Sequence, residues 1–349
     1  MKKIATSVVV ALCIGVLTAH GQEGLILENG AEVTIEGTTL EASYVVVCSG
    51  SAFDYGNRLL IRNGGTVRCL GSMYVNGTVS TGVNYDWLYS YASISGAEST
   101  LDIGGDLRLY SSDLSGRTPG TWDPWGVPCH MEISDGATVS VGGTVSIQNA
   151  STLNLGSGGT LSVGSDFNAS MAGFSYGSGS TLSVAGQLSG LSTLASGRRF
   201  EAVDVLGDLT VHGTFAPGNS PGDSVVNGSL TLAADGTLEM EMEGYEPGTE
   251  HDRLSVTGPA TLEGELDLVF LDEFTVAYGD RFDLFDWDGG VSGEFSSIAS
   301  APLSEGLSWD ASELYTTGSL SVVPEPGVVG MLAFFGGGLF FARRIFAFG

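Results

Sequence analysis

Forty aspartates and glutamates stand against 13 lysines and arginines in this chain, so carboxylate chemistry is the first possibility to weigh. Glycoside cleavage needs two carboxyl groups roughly 5–10 Å apart across a cleft, and a chain this acidic supplies such pairs by number alone. The densest group is Asp283, Asp286 and Asp288 in "RFDLFDWDGG". Asp286 and Asp288 can share a calcium ion as hard oxygen ligands; the plainer reading makes all three solvated strand-end residues. Other chemistries lack their residues. His130, His212 and His251 have no Cys or His neighbour at metal-ligand spacing. The chain has no Gly-x-Ser-x-Gly elbow, phosphate loop or Gly-Gly-x-Gly-x-Asp calcium repeat, and "GNSPG" reads as a turn. No catalytic residue, cofactor site or metal site is assigned, and the chain is expected not to be an enzyme.

Sugar contact is the second chemistry on offer. Three stretches, near 44–58, 81–95 and 111–130, gather Tyr44, Tyr55, Tyr85, Trp87, Tyr89, Tyr91, Trp122, Trp125 and His130 beside Asp54, Asp86, Asp113 and Asp123. Trp87, Trp122 and Trp125 are the candidate glycan contacts, with the carboxylates accepting sugar hydroxyls. The competing reading is that these aromatics fold their loops back onto the body.

What positions these stretches is a repeat. A nine-residue theme, apolar-x-apolar-x-Gly-x-apolar-x-apolar, can be aligned at Val33, Val67, Leu101, Val139, Leu161, Leu182, Val203, Ser224 and Leu254, with spacings of 34, 34, 38, 22, 21, 21, 21 and 30. Alternate apolar residues face one side of a strand, and the shared glycine permits a bend between two strands. Further turns precede the theme at Asn29-Gly30, Asn63-Gly64, Asp135-Gly136 and Gly158-Gly159. Each repeat therefore holds about three short strands, and only stacking buries its apolar side. The predicted fold is all-β: a right-handed parallel β-helix or β-solenoid over 22–244, closed by a β cap over 245–322. A sandwich of antiparallel hairpins is the alternative. The aromatic stretches are then insertions in successive repeats, which emerge on one face of a solenoid. Val141, Val163, Val184 and Val205 should form one inward ladder.

The two ends carry addresses. Lys2 and Lys3 followed by an apolar run to Ala19 predict a secretory signal peptide over 1–21, in a signal helix, with cleavage between Gly21 and Gln22. At the other end, Pro324-Glu325-Pro326 precedes an uncharged run of 16 residues, Gly327 to Ala342, then Arg343-Arg344. That run falls short of the roughly 20 residues that span a bilayer comfortably, and the paired arginines keep the tip cytoplasmic. Without the two lysines and the two terminal arginines, nine arginines face the 40 acidic residues, so nucleic acid and anionic membrane surfaces are poor partners. Cys48, Cys69 and Cys129 allow at most one internal disulfide.

These terminal residues carry a resemblance. Val323-Pro324-Glu325-Pro326, the apolar helix and Arg343-Arg344 resemble the PEP-CTERM sorting signal of bacteria, over 323–349. The resemblance implies recognition by an exosortase-type membrane peptidase, transient or permanent membrane insertion through the tail, and delivery to the cell envelope or outside the cell. A second stretch, Gly213 to Gly244 with "APGNSPG", is similar to autotransporter passenger repeats, and His251 to Val322 looks like the closing cap of such repeats, without an outer-membrane barrel. The expected function is a structural or adhesive component of the cell envelope or extracellular matrix, with extracellular polysaccharide as a partner. The alternative is a glycan-binding module or a polysaccharide lyase or hydrolase built on the β-helix.

Overall fold

The computed structural model describes residues 17–18, 24–27, 32–37, 39–48, 57–78, 90–112, 129–148, 151–169, 173–218 and 220–325. Gly21, Gln22, Trp87, Trp122, Trp125, Pro326, Arg343 and Arg344 lie outside the described residues, as do the helices expected at the two ends.

Period-two alternation makes each short segment a strand with one buried side. In Thr138–Val141, Val139 and Val141 are buried while Thr138 and Ser140 reach the surface. Three strands make one turn of the chain. Arg58–Arg62, Thr66–Cys69 and Met73–Thr78 form one rung; Tyr91–Ser95, Thr100–Ile103 and Leu107–Ser112 form the next. Corresponding strands pair in parallel, Arg58 with Tyr91, Thr66 with Thr100 and Met73 with Leu107. Three faces result, numbered here in chain order within the rung. The first is a six-stranded sheet followed by a five-stranded one, and the second and third share a 21-stranded sheet. No helix occurs among the described residues. The chain is a parallel β-solenoid, as the repeat predicts.

Stacked rungs align side chains of like character. On the second face one inward ladder runs Leu40, Val67, Leu101, Val139, Leu161, Leu182, Phe200, Phe215, Leu238, Leu266 and Ile298. Full burial of such a side chain is worth about 1.5–3 kcal/mol, realised only because a neighbouring rung covers it. Between the first and second faces the chain turns tightly at Asn63-Gly64 and Asp135-Gly136, both residues of each pair at positive φ, the geometry of a two-residue type I′ turn.

The predicted valine ladder needs correction. Val141, Val163 and Val184 stack in order, but Val184 stands beside Ala202, and Val205 stands beside Leu188 on the third face. The reason is a change of corner. In the early rungs the glycine bend joins the second and third faces, as at Gly71-Ser72, Gly105-Asp106 and Gly143-Thr144. In the late rungs it joins the third face to the first, as at Gly207-Asp208 and Gly228-Ser229. The device itself is unchanged: Asp106 Oδ1 accepts from the N–H of Thr144, Asp166 Oδ1 from Gln187, and Asp208 Oδ1 from Ser229. Each carboxylate thus satisfies a bend donor of the following rung. Because apolar alternation flanks both corners, the theme slides from one to the other between Leu182 and Val203 without losing its 21-residue spacing.

Past residue 244 the stack goes on. Parallel pairing continues through Ala260–Leu262 with Val291–Gly293 and Glu265–Phe270 with Ser297–Ser300. The cap is a separate antiparallel sheet in which Ser319–Pro324 lies between Arg281–Asp283 and Leu307–Asp310. It buries Phe282, Leu320 and Val322 over the end of the stack.

Candidate functional site

Two corners of the solenoid carry the irregular chain. In the early rungs the insertions leave the third face at Cys48, Thr78 and Ser112 and return to the first at Arg58, Tyr91 and His130. All three sequence-predicted aromatic stretches therefore connect the third face to the first, and their ends at Val45–Cys48 and Tyr91–Ser95 are strands. The three return residues are register partners or follow one another up the outer side, since Arg58 pairs with Tyr91 and Tyr91 with His130.

This ladder is tied within itself. Glu32 lies 3.5 Å from Arg58 Nη1; the Tyr91 hydroxyl donates to Glu132 Oε2 at 2.8 Å; His130 Nδ1 lies 2.5 Å from Thr152 Oγ1. The Tyr91 and His130 rings are parallel, 5.4 Å between centroids, which is the rung repeat with a small offset. Burial raises the pKa of Tyr91 and lowers that of His130, so both rings stay neutral near pH 7. Each ring covers one face of the other. Tyr44 packs over Gly24, where an added Cβ would sit 2.2 Å from the ring. Tyr44 and Tyr91 thus serve the fold, and the three candidate tryptophans lie outside the described residues.

The aspartate group of the sequence is divided. Asp283 belongs to the cap sheet, accepts from the Ser319 hydroxyl at 2.5 Å and lies 3.5 Å from Arg281 Nε. Asp286 belongs to the parallel stack and lies 3.5 Å from Arg253 Nη2. Among the described residues no three His, Cys, Asp or Glu side chains are grouped to hold a metal. His212 Nδ1 meets Asp235 Oδ1 at 2.7 Å at the surface, and that contact lowers the aspartate pKa. Cys69 and Cys129 are buried, and Cys129 Sγ donates to the Tyr110 carbonyl at 3.0 Å.

In the late rungs the insertions change corner together with the glycine bend. Residues 218–222, 243–252 and 271–284 all connect the second face to the third or lead to it through the cap strand. Here lies Asp252, a buried carboxylate that no sequence pattern marks. Its Oδ1 accepts from Gly222 N–H at 2.8 Å and its Oδ2 from Glu241 N–H at 2.7 Å, binding the "APGNSPG" turn to the neighbouring strand. Burial pushes its pKa up to about 7 despite these two donors, and the Glu241 and Glu239 charges add to the rise. His251 beside it is fully buried, its Nδ1 3.2 Å from the Gly244 carbonyl, and burial lowers its pKa.

The Pro-Glu-Pro element begins inside the folded body. Pro324 ends the cap strand opposite Leu307, and Glu325 N–H donates to the Gly306 carbonyl at 2.8 Å. Pairing thus extends past the 322/323 boundary read from the sequence. No family model, curated protein or solved structure matches this chain.

Proposed function

We propose that this chain is an exported structural or adhesive component of the cell envelope or extracellular matrix, a non-enzymatic rod sorted through its C-terminal tail. The observation that carries the reading is the inward ladder running from Leu40 to Ile298, which makes nearly the whole described chain one continuous stack. Such a stack separates its two ends and presents long, regular faces, which suits a spacer or adhesin. The right-handed sense belongs to this reading, as the normal hand of crossovers between parallel strands. So do the signal helix before Gln22 and the apolar helix before Arg343-Arg344.

The tail fits the same purpose. Pro324 and Glu325 lie at the end of the cap strand, and we take the Pro-Glu-Pro element there as the signpost for a membrane peptidase of the exosortase type. Pro324, Glu325 and Pro326 replaced together by alanine should leave export intact and trap an uncut, membrane-bound form. Intact mass of the protein from membrane and external fractions tests this; identical C-termini at Gly349 in parent and variant would sink the sorting reading. Glycan binding is the second reading, favoured by the common corner from which the three aromatic insertions open.

A further inference from the structure

The second insertion corner carries an aromatic site more open than the half-buried Tyr91–His130 pair. Tyr245 is 51 % exposed and Tyr278 is 69 % exposed, the two most open tyrosines of the described chain. Both sit on fixed supports. Tyr245 lies in the 243–252 loop, which Glu250 closes by accepting from the N–H groups of Tyr245 and Glu246 through Oε2. Its ring lies parallel to that of the fully buried Phe282, 5.7 Å between centroids, and Phe274 meets it at a steep angle. Tyr278 rides on the 277–280 turn, in which Gly279 takes φ +94° and Asp280 N–H returns to the Ala277 carbonyl. Gly279 N–H donates to Val322 and Val322 N–H donates to Asp280, fastening this turn to the cap strand.

One carboxylate ties the Tyr245 ring to the turn on which Tyr278 rides. Asp280 Oδ2 accepts from the Tyr245 hydroxyl at 3.1 Å and from Ala277 N–H at 2.7 Å. Oδ1 of Asp280 forms no hydrogen bond with a described residue. An open tyrosine backed by a buried ring, with a free carboxylate oxygen at its polar tip, has the two things a pyranose asks for: an apolar surface for its C–H face and an acceptor for its hydroxyls. The exposed Glu246, Asp272 and Glu273 on the same loops disfavour uronates and sulfated sugars by like-charge repulsion.

We infer that Tyr245, Tyr278 and Asp280 form a binding subsite for a neutral pyranose unit of an extracellular polysaccharide. The inference rests on the adhesive reading and places its sugar contact at the cap end, apart from the tryptophan-bearing insertions. The test is retardation of the full-length protein in native gels holding a soluble mixed-linkage β-glucan, a galactomannan or polygalacturonate. The parent should be retarded by a neutral polymer and not by polygalacturonate, with little dependence on salt, since no charge pair is involved. Tyr278→Ala and Tyr245→Ala should each weaken retention by about tenfold. Tyr245→Phe, which keeps the ring and loses the bond to Asp280, and Asp280→Asn should give smaller losses with far-ultraviolet dichroism unchanged. A parent retarded as strongly as all four variants would place the sugar site elsewhere and leave adhesion standing. An exported parent that no neutral polymer retards would overturn the subsite while leaving the structural reading intact. Dimerisation abolished by Tyr278→Ala, without retardation of the parent, would assign the surface to a second copy and equally overturn it.

Discussion

Gly228→Ala separates two reasons for a glycine. Its backbone lies outside the left-handed region, so local conformation alone permits alanine, and such a change ordinarily stabilises by about 0.4–1 kcal/mol through the unfolded chain. The stack reverses the sign. A Cβ on Gly228 would stand 2.4 Å from both the carbonyl carbon and oxygen of Gly207 in the preceding rung, about 1 Å inside ordinary contact, and backbone cannot rotate away as a side chain can. The same collision recurs up this corner, where Gly258 would meet Gly228 at 2.7 Å and Gly289 would meet Gly258 at 2.1 Å. Opening the rungs stretches the bond from Ser229 N–H to Asp208 and the Leu209–Leu230 pairing beside it. Overpacking of this kind costs about 1–3 kcal/mol, a fall in Tm of roughly 2–12 °C at the slope typical of domains this large. Urea unfolding and thermal melts of the parent and Gly228→Ala, followed by far-ultraviolet dichroism, give the comparison. A variant as stable as the parent, or more so, would mean that the rungs do not approach as closely as the stack requires.

Two further changes probe the core and the late corner. Leu161→Ala removes a fully buried side chain held between Val139 and Leu182 and should cost about 2–5 kcal/mol in urea unfolding; a loss below 1 kcal/mol would be too small for a packed ladder. Asp252 has a folded pKa raised from 3.8 to about 7, so between those values the folded chain binds a proton that the unfolded chain releases. Its contribution is fully present below about pH 4 and is lost as pH rises through about 7. The parent should therefore lose stability relative to Asp252→Asn between pH 5 and pH 8, and an unchanged difference between the two proteins across that range would show that Asp252 does not titrate there.

The strand content was legible because a solenoid writes it locally. "TVSV", "TLSV" and the second "TLSV", at Thr138, Thr160 and Thr181, place two apolar residues inward and two hydroxyls outward in each rung, and the structure stacks them without a register change. Which corner a glycine bends was not legible. Gly186 and Gly207 sit in nearly identical local patterns, "LSVAGQLSG" and "VDVLGDLTV", and the chain between them shortens a rung so that Leu182 pairs with Phe200, 18 positions on. Spacing counts residues along the chain, while register is set by which apolar pair finds a neighbour. Where both corners carry the same alternation the count cannot tell them apart.

That same shift hid the residues best placed for binding. The spacing of 30 from Ser224 to Leu254 does mark an insertion there, but it lacks the aromatic density of the stretches before His130. In the late rungs the glycine bend and the insertions trade corners. Tyr245 and Asp252 then fall between strands that pair across 28 residues, Leu238 with Leu266, while Tyr278 and Asp280 read as part of a closing cap. Asp280 and Tyr245 are 35 positions apart in sequence yet share a hydrogen bond, because Asp280 lies one rung after Tyr245 on the same corner. A pair brought together by stacking leaves no local pattern. In a solenoid, the chemistry of the outer surface is therefore read down the rungs, and only after the register of those rungs is known.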